Sequence, residues 1–367
     1  MRNKTQNVFN IELVVYTLFA VFSVCTVLYI FHYRPVTYVS LTNEDHIAEY
    51  GTSVCFGLAG LILLTLSFSR GPKVRKLMWM LIGVMALLIA AEEISWGQRI
   101  FHVGTPDVLR EVNIQKEISL HNLVIFDSVH QKLHNTVSYL ILIYLVLSLV
   151  VLTSMPRLQE KLSAIGLPLI QPRLVPVFLL APYFFLSGTI LKSDEIFELF
   201  LGVAVLMWAV DLFLVSYENK RFTGFASVLI MIGTLILTVS ISGGLSYRHS
   251  RAITYRLNLL ASHYYNHFGM YEQAQSLYTY IYQNPKHLTG ATRLNHARML
   301  LAIGKKTEAA EMLSLAARDL EAKEPVKTSN IIELRLLGMI YMLLGENTRA
   351  DNYFDKAVEI DQKKLSL

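Results

Sequence analysis

The segment Glu92-Glu93-Ile94-Ser95-Trp96-Gly97-Gln98-Arg99 puts two adjacent carboxylates and a hydroxyl at the end of a long apolar run. A carboxylate at that depth costs about 2–3 kcal/mol to insert into a membrane, less near the interface, so such groups are usually paired or do chemistry. Helical spacing sets Glu92 beside Ser95 and Trp96 and Glu93 nearer Gly97, so that one acid can face a cavity and the other look elsewhere. The plainer alternative is that Arg99 or another base neutralises one acid and both cap a helix bundle. Glu92, Glu93 and Ser95 are therefore the first candidate catalytic residues.

Downstream come Asn113, Gln115, Glu117, His121 and Asn122, then Asp127, His130 and His134. On a helix His130 and His134 share a face, with Asp127 one turn before. Two imidazoles and a carboxylate at that spacing suit a divalent metal, and His121 is the further candidate ligand and catalytic group. The spacing lacks the internal Glu of the zinc-protease motif, and a His near a membrane end commonly serves as a hydrogen-bonded interfacial residue. Two more acid pairs stand one helical turn apart at the entrances of apolar runs: Asp45 with Glu49, and Asp194 with Glu198, Glu195 lying between them. Like charges at that spacing destabilise a helix by a few tenths of a kcal/mol unless a cation or shared proton intervenes. The helix dipole accounts for Asp45 and Asp194. It does not account for Glu49, Glu198 or Glu92, and acids crowded into one layer could form a metal or proton site.

These residues need elements to hold them, and composition says which. The chain has 367 residues, 53% hydrophobic and 17% charged, with a mean hydropathy of +0.41. A soluble domain carries about 25% charged residues. From Arg248 onward the sequence reads as an ordinary soluble one, so the apolar excess belongs to the first two thirds, giving a transmembrane domain over 1–246 and a second domain over 254–367. Apolar runs at Ile11–Phe31 and near 47–68, 77–91, 136–153, 174–191, 197–215 and 225–245 predict about seven spans of an all-α bundle. The third run is short unless it continues through Ile94 and Trp96, and the polar stretch 92–135 has room for an interfacial helix at Ile118–Ile125.

The net charge of +5 reflects bases that flank spans and excludes nucleic acid as a partner. Cys25 and Cys55 both fall inside apolar runs and build no disulfide framework or thiolate metal site. With the N-terminus inside, the cytoplasmic segments hold Arg2 and Lys4; Arg70, Lys73, Arg75 and Lys76; Arg157, Lys161 and Arg173; and Lys220 and Arg221. Arg248, Arg251 and Arg256 run against that pattern. Asp45, Glu49, Glu92, Glu93, the 102–134 loop, Asp194, Glu195 and Glu198 then share the outer face. The expected setting is a plasma or inner membrane in the cell envelope, with the second domain outside the cytoplasm.

Residues 254–363 repeat a helix–turn–helix unit at a spacing of about 35–41 residues. The copies read Ala261, Tyr265, Gly269, Ala274, Tyr278, with Pro285 at the end; Ala297, Leu300, Gly304, Ala309, Leu313, Ala316; and Leu337, Gly338, Tyr341, Gly345, Ala350, Phe354, Ala357. An insertion at Lys323–Ser329 precedes the third. The pattern resembles the tetratricopeptide repeat (TPR) family. That resemblance implies an α-solenoid whose concave groove takes a protein partner; bracing the membrane domain or self-association is the alternative.

Three readings of function follow. The first is a membrane-embedded enzyme acting on a lipid or lipid-linked glycan. Acids, a serine and histidines on seven spans loosely resemble the ceramidase and adiponectin-receptor superfamily of intramembrane metal hydrolases, although the last span lacks that family's HxxxH. Glu44-Asp45 in the first outer loop, with a trailing repeat domain, is similar to membrane glycosyltransferases that use polyprenol-phosphate sugars. The second is a non-catalytic scaffold or assembly protein recruiting a protein partner through its repeats. The third is an ion- or proton-coupled transporter, against which stands the lack of an inverted repeat.

Overall fold

A computed structural model describes residues 2–42, 47–69, 71–98, 103–113, 117–119, 124–165, 169–188, 193–216, 251–283, 288–322 and 331–365, together with positions 101, 167, 190 and 233. Most of the described residues are helical, and none of them forms a strand. They divide into two compact units, Met1–Phe31 with Ser40–Tyr247, and His32–Val39 with Arg248–Leu367. The division falls where the composition changes. Nothing in the residue pattern marks 32–39 as part of the second unit, in which His32 meets the ring of Phe268 edge-on at 6.1 Å.

Among the described residues, five helices are long and apolar enough to cross a membrane: Glu12–Tyr33, Ile47–Ser67, Lys73–Glu93, His134–Ser154 and Ser193–Ser216. The apolar run at 174–191 gives only the shorter helical segment Pro172–Ser187, in which Pro172, Pro176 and Pro182 interrupt the donor ladder. The run at 225–245 lies outside the described residues, Gly233 apart. The third span reaches full length by starting at Lys73 rather than by running on through Trp96. The expected helix at Ile118–Ile125 is absent at 118–119, which bend, while a short helix forms at Asp107–Val112 instead.

We label the helices up to Ser216 as α1 (Arg2–Tyr33), α2 (Pro35–Leu41), α3 (Ile47–Ser67), α4 (Lys73–Glu93), α5 (Asp107–Val112), α6 (Val124–Ser154), α7 (Pro156–Ile165), α8 (Val175–Phe178), α9 (Leu180–Ser187) and α10 (Ser193–Ser216); all but α2 and the end of α1 belong to the first unit. Helices α3 and α10 are central: 56% and 50% of their apolar stretches are buried inside the bundle, against 22% for α4 and α6 and 11% for α1. The outward faces of α1, α4 and α6 carry exposed Leu, Val, Ile and Phe, such as Phe22, Leu81 and Leu147, as expected where the solvent is lipid rather than water.

Small residues bring α3 and α4 together. A methyl group placed on Gly60 would lie 2.9 Å from the Gly83 carbonyl oxygen, and one on Gly83 would lie 3.0 Å from that of Gly60. Lipid tails are as apolar as Leu, so close packing of small residues is what holds such helices together. Ser53 donates to the Ala90 carbonyl at 2.7 Å, which sets α3 and α4 antiparallel. Gly202 packs on Cys55, and Glu49 and Glu198, at the starts of α3 and α10, both lie within electrostatic reach of Glu93, so α10 runs parallel to α3. His134, where the apolar span of α6 begins, meets Glu198 at the start of α10, so that span begins at the same end. One bundle end therefore gathers the end of α4 and the starts of α3, the α6 span and α10.

The second unit holds three helical hairpins, α11 (Arg251–His263) with α12 (Tyr271–Tyr282), α13 (Gly290–Ala302) with α14 (Lys306–Glu321), and α15 (Ile331–Leu343) with α16 (Asn347–Leu365). Each first helix ends at a left-handed glycine: Gly269, Gly304 and Gly345, with φ of +64°, +79° and +80°. The next backbone N–H reaches back to Tyr264 O at 3.0 Å, Leu300 O at 2.9 Å and Tyr341 O at 2.9 Å. Glycine is the residue that adopts this C-cap without strain. Ala261, Ala274, Ala297, Ala309, Ala316, Ala350 and Ala357 are all buried. Gly338 leaves room for the Phe354 ring, which an added methyl would approach to 2.6 Å.

Candidate functional site

Helix α4 ends at Glu93, and the backbone then turns left-handed at three successive residues, Ser95 (φ +46°), Trp96 (φ +56°) and Gly97 (φ +73°). Only the glycine adopts that region freely; a non-glycine residue held there stores of order 1–2 kcal/mol. The helix therefore does not continue through Trp96, and the turn redirects the two side chains. Trp96 donates its indole N–H back to Glu92 Oε1 at 2.6 Å. Ser95, buried, donates its hydroxyl to Glu117 Oε2 at 2.5 Å, also buried.

Glu117 is held from both sides. Its backbone N–H donates to Asn113 Oδ1 at 3.2 Å, and Asn113 in turn donates to the Ser119 carbonyl at 2.7 Å. Gln98 ties the same loop together, donating to Thr105 Oγ1 at 2.6 Å and accepting from the Ile118 N–H at 2.7 Å. Ser95, Gln98, Thr105, Asn113, Glu117 and Ser119 thus form one connected network over the end of α4, the arrangement expected when buried polar groups must be satisfied.

The second acid takes a different direction. Glu93 lies within electrostatic reach of Glu198, Glu195, Glu49 and Glu92, so acids from α3, α4 and α10 converge at this bundle end. His134, buried at the start of the α6 span, places Nε2 2.8 Å from Glu198 Oε1. Its ring stacks on Phe185 at 5.2 Å and meets the edge of Phe197 at 5.3 Å. An imidazole paired with a carboxylate and walled by aromatics is a fixed, orientable proton carrier.

Of the sequence-predicted site residues, Glu92, Glu93, Ser95, Glu49, Glu198 and His134 are brought to this end. Asp45 and His121 lie outside the described residues, and His130 is described only as part of α6. No group of three or more His, Cys, Asp and Glu side chains suited to a metal occurs among the described residues, and the described His134 is engaged by Glu198 and two rings.

Sequence reasoning missed a second polar site at the opposite bundle end. Arg173 donates Nη1 to Glu12 Oε2 at 2.7 Å and Nη2 to Asp211 Oδ1, with both acids buried. The ion pair joins the start of the α1 span, the segment before α8 and the end of α10. The signal was present: Asp211 is an acid inside an apolar run, the criterion that singled out Glu92. Comparison with known proteins adds no family: no family model, no curated protein and no solved structure matches the chain.

Proposed function

We propose that the chain is an integral membrane enzyme acting on a lipid or a lipid-linked glycan, with its site at the end of α4 built around Ser95, Glu117, Glu93 and Glu92. The observation that carries this reading is the Ser95–Glu117 pair. A hydroxyl on a strained left-handed backbone, within hydrogen-bond reach of the buried carboxylate of Glu117, whose backbone N–H is fixed on Asn113, is the pairing of nucleophile with base. In this reading Glu117 takes the hydroxyl proton as Ser95 attacks the electrophilic centre of the lipid. The Glu93–Glu198–His134 array supplies the proton that the leaving group needs.

The same proposal places the N-terminus in the cytoplasm, because Lys73, Arg75, Lys76, Arg157 and Lys161 collect at the end opposite the acids. It counts seven spans by adding the segments at 174–191 and 225–245, and reads the hairpins after Arg248 as an extracytoplasmic TPR-type solenoid. Glycine turns recurring at 35 and 41 residues support the latter.

The test compares the lipids and lipid-linked saccharides of cells carrying the wild-type chain, Ser95→Ala or Glu117→Gln, by mass spectrometry at matched membrane levels. A species that changes with the wild type and not with either variant is the expected result.

A second reading rests on its own observation. The hairpins bury alanines at the recurring positions of the repeat, which supports a stack of the kind that recruits protein partners. If Ser95→Ala and Glu117→Gln match the wild type in a phenotype assay while a chain ending at Ser246 fails, the chain is a membrane scaffold and the proposed enzyme is wrong.

A further inference from the structure

Helix α7 follows directly on α6, with one residue, Met155, between them, and lies beside α4. Its 10 residues are the most unequally faced in the first unit. At about 100° per residue, Leu158 and Leu162 fall on one stripe, Arg157 and Lys161 border that stripe, and Glu160 points to the far side. Arg157, Leu158, Glu160 and Lys161 are exposed. A helix whose bases line one border of its apolar stripe, with the acid on the far side, is built to lie in a membrane surface rather than on a protein core.

The adjoining turn of α4 carries the same sign. Lys73 is exposed, Lys76 is half-buried, and the Arg75 guanidinium sits over the ring of Trp79 at 5.2 Å, with Trp79 buried beneath it. A base anchored on an aromatic ring at a span end is held at headgroup depth. This face is distinct from Arg173, whose guanidinium is turned inward to Glu12 and Asp211.

We infer that α7 and the first turn of α4 form a binding surface for the headgroups of anionic phospholipids, with Leu158 and Leu162 seated in the interfacial layer. Two things identify the occupant. The surface continues the ends of the spans α4 and α6, so a bilayer is what covers it, and five bases in two short stretches select negative headgroups by charge. The inference rests on the membrane reading of the chain and is independent of the enzyme reading.

The experiment reconstitutes the full chain into vesicles of phosphatidylcholine, alone or mixed with phosphatidylglycerol, and follows flotation and thermal unfolding. Phosphatidylglycerol should raise the unfolding temperature of the wild type by a few degrees. High salt should remove most of that gain, and the double variant Arg157→Gln/Lys161→Gln should lose at least half of it while unfolding normally in phosphatidylcholine. Lys306→Gln, an exposed base of the second unit, serves as control and should keep the full gain. Equal gains in the wild type and the double variant, or no gain at all, overturn the inference. A chain that floats with neither vesicle overturns the membrane reading and this inference together.

Discussion

The Ser95 hydroxyl and the Glu117 carboxylate meet at 2.5 Å across 22 residues of chain, with both side chains buried. The contact exists because three consecutive left-handed residues end α4 and turn the chain back over itself.

That backbone makes two substitutions at one position separable. Ser95→Ala keeps the strain and leaves the buried Glu117 short of a donor, costing about 1–3 kcal/mol. Ser95→Gly loses the same hydrogen bond but relieves the left-handed strain, so it should be more stable than Ser95→Ala by about 1 kcal/mol. Thermal unfolding in detergent reads the difference. An alanine variant at least as stable as the glycine variant would show that the backbone stores no strain there.

Arg173 neutralises two buried acids, and its removal should be the most damaging single change at its end of the bundle. Arg173→Met leaves Glu12 and Asp211 buried without their base, at a cost of roughly 3–5 kcal/mol. The triple variant Arg173→Met/Glu12→Gln/Asp211→Asn should recover most of it, because the charges that needed compensation are gone. Unfolding midpoints of the single and triple variants check this; equal losses in both would contradict it.

At Gly60 a side chain cannot be added without moving α3 from α4. Gly60→Val should cost about 2–3 kcal/mol, since its methyls would meet the Gly83 carbonyl and Leu87. Gly57→Ala, whose new methyl would sit at an ordinary 3.8 Å from Ala90, should be close to neutral. Protease resistance of the two variants in detergent distinguishes them.

In the second unit His296 stacks on Tyr278 at 4.5 Å and contacts Tyr282 Oη at 2.9 Å and Gln275 Oε1 at 3.1 Å. Burial drives its pKa down to about 4. The unfolded chain takes up this proton near 6.5 and the folded one does not until about 4. Between those values the unfolded state binds more protons, so stability falls as pH falls through that window. His263, also lowered by burial and by its neighbour His267, acts with the same sign. His296→Gln should flatten the dependence of the unfolding temperature between pH 7 and pH 4.5, in a series read as roughly paired midpoints; an unchanged slope would assign it elsewhere.

The legible parts of this fold are those carried by local pattern. Apolar length located α3, α4, α10 and the His134–Ser154 span of α6 to within a few residues, although α6 itself begins ten residues before that span, and the turn glycines 269, 304 and 345 stood out by type and spacing. The gathering of Glu49, Glu93 and Glu198 at one end followed from counting spans, since successive crossings alternate direction. What could not be read was anything set by the sign of φ or by long-range return of the chain. Gly97 hinted at a turn, but periodicity carries no sign of φ, so Ser95 and Trp96 read as further helix. Glu117 was visible as a polar neighbour of His121, yet its partner lay beyond Pro106 in a loop with no period. Arg173 read as one more base on a loop, because its acids lie 161 and 38 residues away.

That separation bears on how the chain is made. Glu12 leaves the ribosome 161 residues before Arg173. At 5–20 residues per second, the first helix therefore waits about 8–32 s for the base that compensates its acid. Its final docking must be a late event of biogenesis, completed only when α10 delivers Asp211 to the same guanidinium. A nascent chain arrested before residue 173 should accordingly hold its first helix loosely, open to capture by insertion chaperones and to membrane proteases that sample unpaired spans.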